Sequence, residues 1–240
     1  MIFSEKYTTK WHDTDASRRV TVTKMLVMMQ EVSNHHIESL GMPLDTLRDE
    51  KGLAFLLSKI RISVYRPLYA YEDVEIQTWT YAAHGFSYPR CYRIIRGDEV
   101  IAEADTVWAL IDINNRSLVK ASDCDAYEFT DDEPLSLDVP QRFRLPKGAE
   151  LESLGERKIV WSDLDYNMHM NNTKYPDMLC DFLPVEDIGR IKGVFLSYVN
   201  EAAFGETLDI RSVLADGVHY FRTVNSEGKT CLEAQIILGE

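Results

Sequence analysis

Large side chains recur every three or four residues in the segment between Thr21 and Leu40. The recurring positions are Val22, Met25, Met29, Val32, His36 and Leu40. This spacing turns one side of a helix toward a core, because an α-helix completes a turn about every 3.6 residues. Gly41 and Pro43 follow and favour an end to the helix. We therefore predict a long helix with one apolar face.

Strand-like runs surround this helix. They are rich in Val, Ile, Tyr, Phe and Trp, the residue types that favour strands. One run precedes the helix and four follow it, at Ile2–Lys10, Ala54–Tyr65, Val74–Ala82, Ser87–Arg96 and Val100–Ile113. The dipeptide Gly97-Asp98 is typical of a tight hairpin between the last two strands.

The second half of the chain repeats this order. A strand is predicted at Arg157–Trp161 and a helix at Asn172–Phe182. Four more strands are predicted at Ile191–Val199, Thr207–Leu214, Val218–Asn225 and Thr230–Leu238. The residues from Asn225 to Gly228 favour a hairpin turn before the last strand.

Short identities support an internal duplication. The pattern W-x-D-x-D occurs at Trp11–Asp15 and again at Trp161–Asp165, 150 residues later. Ser63–Glu72 aligns with Ser197–Glu206 at an offset of 134 residues. The smaller second offset indicates that the second copy has a shorter middle.

Each copy is predicted to be an α+β unit in which an antiparallel sheet wraps a central helix. Two copies in one chain can cover the edge strands of their sheets. This order resembles the tandem, or double, hot-dog fold, with two such sheets. We predict one unit at residues 1–120, a linker at 121–150 and a second unit at 151–240. The linker carries three prolines and the acidic run Asp131–Glu133.

Residues that both copies share are candidates for structure, whereas residues found in one copy are candidates for chemistry. Asp163 and Asp165 recur in the first copy as Asp13 and Asp15. Aspartates at such positions favour binding of free backbone N–H groups at a turn or helix start. We therefore expect a structural role for Asp163, and for Asp165 both roles stay open.

Three polar residues occur only in the second copy. They are Asn167, His169 and Glu201, which align with Ser17, Arg19 and Pro67. At alternate positions of an extended segment, Asn167 and His169 would point the same way and could hold a carbonyl oxygen and a water. The structural alternative is a capping amide, a buried histidine and an exposed glutamate at a strand end.

The composition narrows the choice of partners and setting. The formal net charge of −13 disfavours nucleic acid and anionic membranes as partners. No apolar run approaches the roughly 18 residues of a membrane span. Met1–Lys10 has no basic region followed by an apolar run, so we expect no signal peptide and a cytoplasmic setting. Free thiols are expected at the widely spaced Cys91, Cys124, Cys180 and Cys231.

The segment from Trp161 to Tyr175 contains the pattern D-x-N-x-H-x-N-N, which starts at Asp165. With the Trp11–Asp15 and Ser197–Glu201 segments, it resembles the signature of acyl-ACP thioesterases, which release fatty acids from acyl carrier protein (ACP). The likeness extends over nearly the whole chain. It implies a thioester hydrolase of fatty acid biosynthesis. The sequence shows no metal or nucleotide motif, and hydrolysis requires neither, so we expect no cofactor.

The resemblance places the active site on Asp165, Asn167, His169 and Glu201. Glu201 would be the general base for an attacking water, and His169 would orient that water or Glu201. Asn167 and a helix N-terminal N–H would stabilise the oxyanion, and Asp165 would fix Asn167 and His169. Direct attack by Glu201 through an anhydride stays open. Plant members often carry Cys after this Glu, but Ala202 stands here, so a papain-like mechanism is not expected.

By the same resemblance the first copy holds the acyl chain. Met25, Met28 and Met29 of its helix are the candidates for lining an apolar tunnel. ACP is acidic, so its binding to this acidic chain requires a local basic surface. The candidates are Arg18, Arg19, Lys24, Arg142, Arg144 and Lys147. A monomer and a homodimer are both compatible with the fold.

Three other functions stay open. They are hydrolysis of acyl-CoA, dehydration of 3-hydroxyacyl chains by a hot-dog enzyme, and acyl binding without catalysis. Such dehydratases need no Asn beside the carbonyl, and an inactive second copy would resemble the first. The D-x-N-x-H pattern therefore favours hydrolysis, whereas the carrier can be identified only by experiment.

Overall fold

The computed structural model describes residues 2–41, 43–124 and 132–239. The chain divides into two compact units. Unit 1 comprises Met1–Ile60 and Tyr65–Leu137, and unit 2 comprises Arg61–Val64 and Asp138–Glu240. Part of the predicted linker, residues 125–131 with Asp131 of its acidic run, lies outside the described residues.

Unit 1 contains a long helix and an antiparallel sheet. The helices are α1 at Val22–Ser39 and α2 at Leu44–Lys51. The strands are β1 at Phe3–Thr8, β2 at Leu53–Val64, β3 at Asp73–Thr80, β4 at Tyr88–Arg96, β5 at Glu99–Asp112 and β6 at Ser117–Val119. The last four residues of β2, Arg61–Val64, belong to unit 2. β1, β3, β4 and β5 are neighbours in that order, and β6 pairs with β5. The long helix and five strands predicted for this half are confirmed, whereas α2 and β6 were not predicted.

The helix α1 is fixed by its cap and its buried face. The Thr21 hydroxyl accepts a hydrogen bond from the Lys24 N–H at 3.1 Å, which satisfies a donor of the first turn. The buried side chains are Thr23, Met25, Leu26, Met28, Met29, Val32, Ser33 and His36. They form one face, which packs against β3.

Unit 2 repeats the order with a much shorter helix. Its elements are β7 at Glu152–Lys158, α3 at Tyr175–Cys180, α4 at Val185–Ile188, β8 at Ile191–Tyr198, β9 at Thr207–Ala215, β10 at Val218–Val224 and β11 at Thr230–Leu238. β8, β11, β10, β9 and β7 are antiparallel neighbours in that order. α3 has 6 residues and α1 has 18, which accounts for most of the shorter middle of the second copy.

The bounds of two predicted elements in unit 2 were wrong. The first strand ends at Lys158, and Trp161–Asp163 forms a short 3-10 helix. The Asp163 carboxylate binds the Val160 N–H at 2.8 Å and closes a turn where a strand would continue. The predicted helix begins as the 3-10 turn Asn172–Lys174, and its α-helical part ends at Cys180.

The residues that follow Leu137 pack on unit 2. The Arg61 guanidinium donates to the Val139 carbonyl at 3.1 Å. The Phe143 ring meets the edge of Tyr220, with 6.1 Å between ring centroids. The described part of the predicted linker from residue 132 to residue 150 contains no helix or strand. The contacts of Val139 and Phe143 with the rest of unit 2 left no local signal in the sequence.

Two smaller findings complete the fold. All four cysteines are free, as their spacing predicted. Within residues 2–41, 43–124 and 132–239, no helix has the length and apolar character needed to cross a membrane.

Candidate active site

A tight turn carries three of the four predicted site residues. The Asp165 Oδ1 atom accepts hydrogen bonds from the backbone N–H groups of Asn167 at 2.8 Å and His169 at 3.3 Å. The Asp165 N–H donates to the His169 carbonyl at 2.9 Å and closes the turn. An aspartate that binds the backbone two residues ahead is a common turn former. Asp165 therefore sets the backbone geometry of Asn167 and His169.

The segment is a turn, whereas the alternation of Asn167 and His169 had suggested an extended strand. Met168 has a φ of 65°, and its N–H donates to the Asp165 carbonyl at 3.1 Å. Side chains other than Gly, Asn and Asp adopt this left-handed region rarely. Asn167 and His169 therefore do not follow the period of two of an extended segment, because the backbone turns at Met168.

Asp163 fixes the start of this turn. Its Oδ2 atom accepts the Val160 N–H at 2.8 Å, and its Oδ1 atom pairs with the Arg157 guanidinium at 2.8 Å. The Asp163 side chain is buried. The structural role expected for Asp163 is therefore confirmed.

Glu201 lies in the segment that follows β8. The carbonyl of the next residue, Ala202, accepts the Met170 N–H at 2.8 Å. The Glu206 carboxylate accepts the Ala203 N–H at 2.9 Å. These bonds hold the segment after β8 alongside the turn.

His169 and Glu201 meet as a result. The distance between His169 Nε2 and Glu201 Oε2 is 3.3 Å, and the two side chains are 32% and 64% exposed. An ionised carboxylate can only accept, so a hydrogen bond between these two atoms requires a proton on Nε2. An imidazole and a carboxylate so placed can orient a water and exchange a proton with it. All four predicted site residues thus lie on two adjoining segments of unit 2.

The first copy has the same turn with different side chains. The Asp15 carboxylate accepts the Ser17 N–H at 2.8 Å and the Arg19 N–H at 3.3 Å, the distances found in the second copy. Arg18 has the φ of 65° that Met168 has. The duplicated aspartate therefore stabilises the turn in both copies. The side chains at the following positions differ, and they determine the chemistry that is possible at each turn.

Cys231 lies beside Glu201 in space, although no local pattern indicated this. Its Sγ atom is 3.8 Å from the Glu201 carbonyl oxygen. Burial, with a contribution from the Glu206 charge, raises the pKa of the Cys231 thiol to about 11. A thiol with such a pKa is protonated near neutral pH and is a poor nucleophile. The residue after Glu201, Ala202, is buried and offers no reactive group.

Tyr198 is a second neighbour of the site that was not predicted. Its hydroxyl donates to the Asn172 carbonyl at 2.7 Å. Burial, with a contribution from Tyr175, raises the pKa of Tyr198 well above its ordinary value, so the hydroxyl keeps its proton and donates. Tyr198 therefore fixes the residues that directly follow the turn. The Ser197–Glu201 segment contained this tyrosine, but its partner could not be read from the sequence.

The remaining predicted residues lie elsewhere in the chain. Met25, Met28 and Met29 are buried on α1 of unit 1. Among the basic candidates, Arg18 is exposed in unit 1 and Arg19 and Lys24 are half-buried there. Those of unit 2 are exposed, and they are Arg142, Arg144 and Lys147.

Family models match both halves of the chain. The model of the acyl-ACP thioesterase N-terminal domain covers residues 1–127, and that of the acyl-ACP thioesterase C-terminal domain covers residues 149–237. The chain belongs to the acyl-ACP thioesterase family. The resemblance carried by the D-x-N-x-H motif is therefore confirmed.

Plant thioesterases are among the relatives of this family member. The chain is 26% identical over 226 residues to an oleoyl-acyl carrier protein thioesterase of Coriandrum sativum, with 86% of this chain and 61% of the relative covered. It is 24% identical over 200 residues to an acyl-[acyl-carrier-protein] hydrolase of Cuphea viscosissima, with 78% and 48% covered. The chain thus spans about half to three-fifths of the length of these curated relatives.

Solved structures of the family share the fold. An acyl-ACP thioesterase from Bacteroides thetaiotaomicron has a TM-score of 0.88 at 22% identity, with 99% of this chain and 98% of that chain covered. A 12:0-ACP thioesterase from Umbellularia californica has a TM-score of 0.84 at 19% identity, with 99% and 97% covered. The predicted double hot-dog fold is therefore confirmed.

Proposed function

We propose that this member of the acyl-ACP thioesterase family hydrolyses fatty acyl-ACP thioesters to free fatty acid and ACP, as part of fatty acid biosynthesis. The observation that carries the proposal is the 3.3 Å contact of Glu201 with His169, which lies on the same turn as Asn167. The first copy has Ser17, Arg19 and Pro67 in place of Asn167, His169 and Glu201. Family membership supports a thioester substrate, and the plant relatives, which act on acyl carrier protein, support ACP as the carrier.

Glu201 is the general base of the proposed reaction. Its exposed carboxylate takes a proton from water while the water oxygen attacks the thioester carbonyl carbon. The carbonyl electron pair moves onto oxygen and gives a tetrahedral oxyanion. When that intermediate collapses, the C–S bond breaks and the leaving thiolate takes the proton held by Glu201. The products are a carboxylic acid and the carrier thiol.

The other three residues support this step. The His169 imidazole holds the attacking water or the Glu201 carboxylate in place. The Asn167 amide donates to the oxyanion, a contribution of roughly 3–4 kcal/mol in other enzymes. Asp165 is a positioning residue, because its carboxylate acts through the backbone N–H groups of Asn167 and His169.

Unit 1 binds the acyl chain in this proposal. Met25, Met28 and Met29 lie on the buried face of α1, where flexible thioether side chains can adapt to an alkyl chain. The proposed reaction itself uses only water and the side chains of unit 2.

Release of free thiol from acyl-ACP and acyl-CoA substrates of graded chain length tests the proposal. Wild-type protein is compared with Glu201→Gln, which keeps the shape of the side chain and removes the base. We expect release from acyl-ACP, with kcat lowered by roughly 100-fold or more in the variant and KM little changed. Faster release from acyl-CoA would make CoA the carrier. Dehydration of a 3-hydroxyacyl substrate without any thiol release would refute hydrolysis.

A further inference from the structure

The turn from Asp15 to Arg19 has the same backbone hydrogen bonds as the active-site turn but carries different side chains. Where the second copy has Asn167, Met168 and His169, the first copy has Ser17, Arg18 and Arg19. Two arginines thus occupy the positions of a methionine and a histidine, with the same hydrogen bonds beneath them.

The acidic side chains next to this turn are bound to the protein itself. Asp13 is buried and accepts hydrogen bonds from the Tyr7 hydroxyl at 3.0 Å and the Lys10 N–H at 2.8 Å. The Asp15 carboxylate accepts the N–H and the hydroxyl of Ser17 at 2.8 and 2.6 Å. Both carboxylates are therefore hydrogen-bonded to groups of the protein, whereas the side chain of Arg18 between them and α1 is exposed.

This region is basic in an acidic chain. Residues 10–24 contain the cations Lys10, Arg18, Arg19 and Lys24 and the anions Asp13 and Asp15. The whole chain has 26 basic and 39 acidic residues. The local excess of charge is thus opposite in sign to the net charge of −13, and an acidic partner would be attracted here and repelled by most of the remaining surface.

Two large aromatic rings stand in the same region. Trp11 is 53% exposed and Tyr71 is 72% exposed, and their rings stack with 6.5 Å between centroids. Trp, Tyr and Arg are the residue types enriched at protein–protein contact sites. The pair supplies apolar area that a protein partner can cover.

Arg18 stands at the tip of the turn with a φ of 65°. This left-handed backbone is less favourable for arginine than for glycine or asparagine, and Met168 of the duplicate turn shares it. The arginine at this position is exposed. Its guanidinium is therefore displayed to solvent at a conformational cost.

We propose that Trp11, Arg18, Arg19, Lys24 and Tyr71, here called the basic turn surface, dock the acidic carrier protein that delivers the thioester. The proposal rests on the proposed function, since it takes ACP as the carrier. Opposite charge speeds the encounter and orients the two proteins, and the aromatic pair gives contact area. In this proposal the turn of the first copy binds the carrier protein, whereas the equivalent turn of the second copy carries catalytic side chains.

A double charge reversal, Arg18→Glu with Lys24→Glu, tests the surface. The matched control is Arg116→Glu with Lys120→Glu, because both residues are exposed in unit 1 and Arg116 also has a positive φ, of 56°. Each protein is assayed with one acyl chain attached either to ACP or to pantetheine, which lacks the protein carrier.

We expect the basic-turn variant to lose roughly tenfold in kcat/KM for acyl-ACP at low salt, mostly through KM. The loss should shrink as salt is added, because ions screen exposed charges beyond about 10 Å at 0.1 M. Activity on acyl-pantetheine should not change, which shows that the variant is folded. The control should match wild type on both substrates.

Equal kcat/KM of the variant and wild type on acyl-ACP would overturn the docking surface and leave the hydrolase intact. A loss found only in Arg142→Glu with Arg144→Glu would overturn it in favour of the other basic candidates. If wild type hydrolyses neither substrate, the proposed function fails. Titration of the same variants with holo-ACP then tests docking separately, and unchanged Kd in the basic-turn variant overturns it.

Discussion

His169 Nε2 lies 3.3 Å from Glu201 Oε2, although the two residues belong to different segments of unit 2. The backbone brings them together, because the Met170 N–H donates to the Ala202 carbonyl at 2.8 Å. The first copy has the equivalent bond with the same length, from Val20 to Leu68. The pairing of these two segments is thus a property of the duplicated fold. The second copy carries an imidazole and a carboxylate at the place where its two segments pair.

Replacement of His169 by arginine, its counterpart in the first copy, should lower kcat by roughly 100-fold or more. A guanidinium can only donate, so it would bind the Glu201 carboxylate as an ion pair and make that carboxylate a weaker base. Steady-state thiol release measures the effect. The matched control is His84→Arg, the same exchange at an exposed histidine in unit 1. Normal kcat in His169→Arg would exclude a role for the imidazole.

The variant Asn167→Ser should fold normally and turn over slowly. Serine stands at this position in the first copy, where its N–H makes the same bond to aspartate at 2.8 Å. Loss of the amide donor should lower kcat by roughly 10²–10³ if it binds the oxyanion. Thermal unfolding should give nearly the wild-type Tm, and Ser17→Asn serves as the reverse control. A drop in Tm with unchanged kcat would assign Asn167 to structure.

Cys231→Ala should retain most of its turnover, although Cys231 touches the Glu201 carbonyl. With its pKa raised to about 11, the thiol is not a nucleophile at neutral pH. Loss of a buried side chain should cost about 1 kcal/mol of unfolding free energy. The assay is thiol release per folded molecule, accompanied by iodoacetamide treatment of wild type at pH 7. Inactivation by the reagent in step with labelling of Cys231 would speak for a thiol mechanism.

Much of the fold was predictable because burial leaves a periodic trace in the sequence. The side chains of α1 recur with helical spacing since one face of the helix is buried against β3. The short α3 gave a weaker signal, because six residues hold fewer than two turns. α2 has a single buried residue, Leu47, so no apolar face revealed it.

The candidate site was predictable where the two copies could be compared. Asp163 and Asp165 recur because they satisfy backbone N–H groups, while Asn167 and His169 stand out because the first copy lacks them. The turn at Met168 was not predicted, since a positive φ in a methionine has no sequence signature. The contacts of Cys231 and Tyr198 depend on strand pairing and on partners distant along the chain, which one sequence does not reveal.

Met28→Phe should shift the preferred acyl chain to a shorter length if α1 lines the acyl site. The larger ring would occupy space at a buried position on the face that carries Met25 and Met29. The measurement is kcat/KM across a series of saturated acyl-ACP substrates. Val27→Phe, on the exposed side of the same helix, is the matched control and should not alter the series. An unchanged preference in both variants would place the acyl chain elsewhere.

His36 should make the stability of the protein fall with acidification. Its Nδ1 atom accepts a hydrogen bond from the Arg90 guanidinium at 3.0 Å, which requires a neutral ring. Burial first, and then the Arg90 charge, lowers the pKa of His36 from 6.5 to about 4. Between these two pH values the unfolded chain binds a proton that the folded chain does not. The contribution of His36 to the free energy of unfolding is therefore fully present above pH 6.5. It decreases as the pH falls toward 4, by at most about 1.4 kcal/mol per pH unit.

The variant His36→Gln isolates this effect, because an amide oxygen can accept from Arg90 and does not titrate. Urea unfolding of both proteins between pH 7 and pH 4.5 gives the two free energies of unfolding. Carboxylates contribute equally to both proteins, so the difference between them reports His36 alone. We expect His36→Gln to become more stable relative to wild type as the pH falls. A difference independent of pH would mean that His36 titrates alike in the folded and unfolded chains, and that Arg90 and burial do not keep its ring neutral.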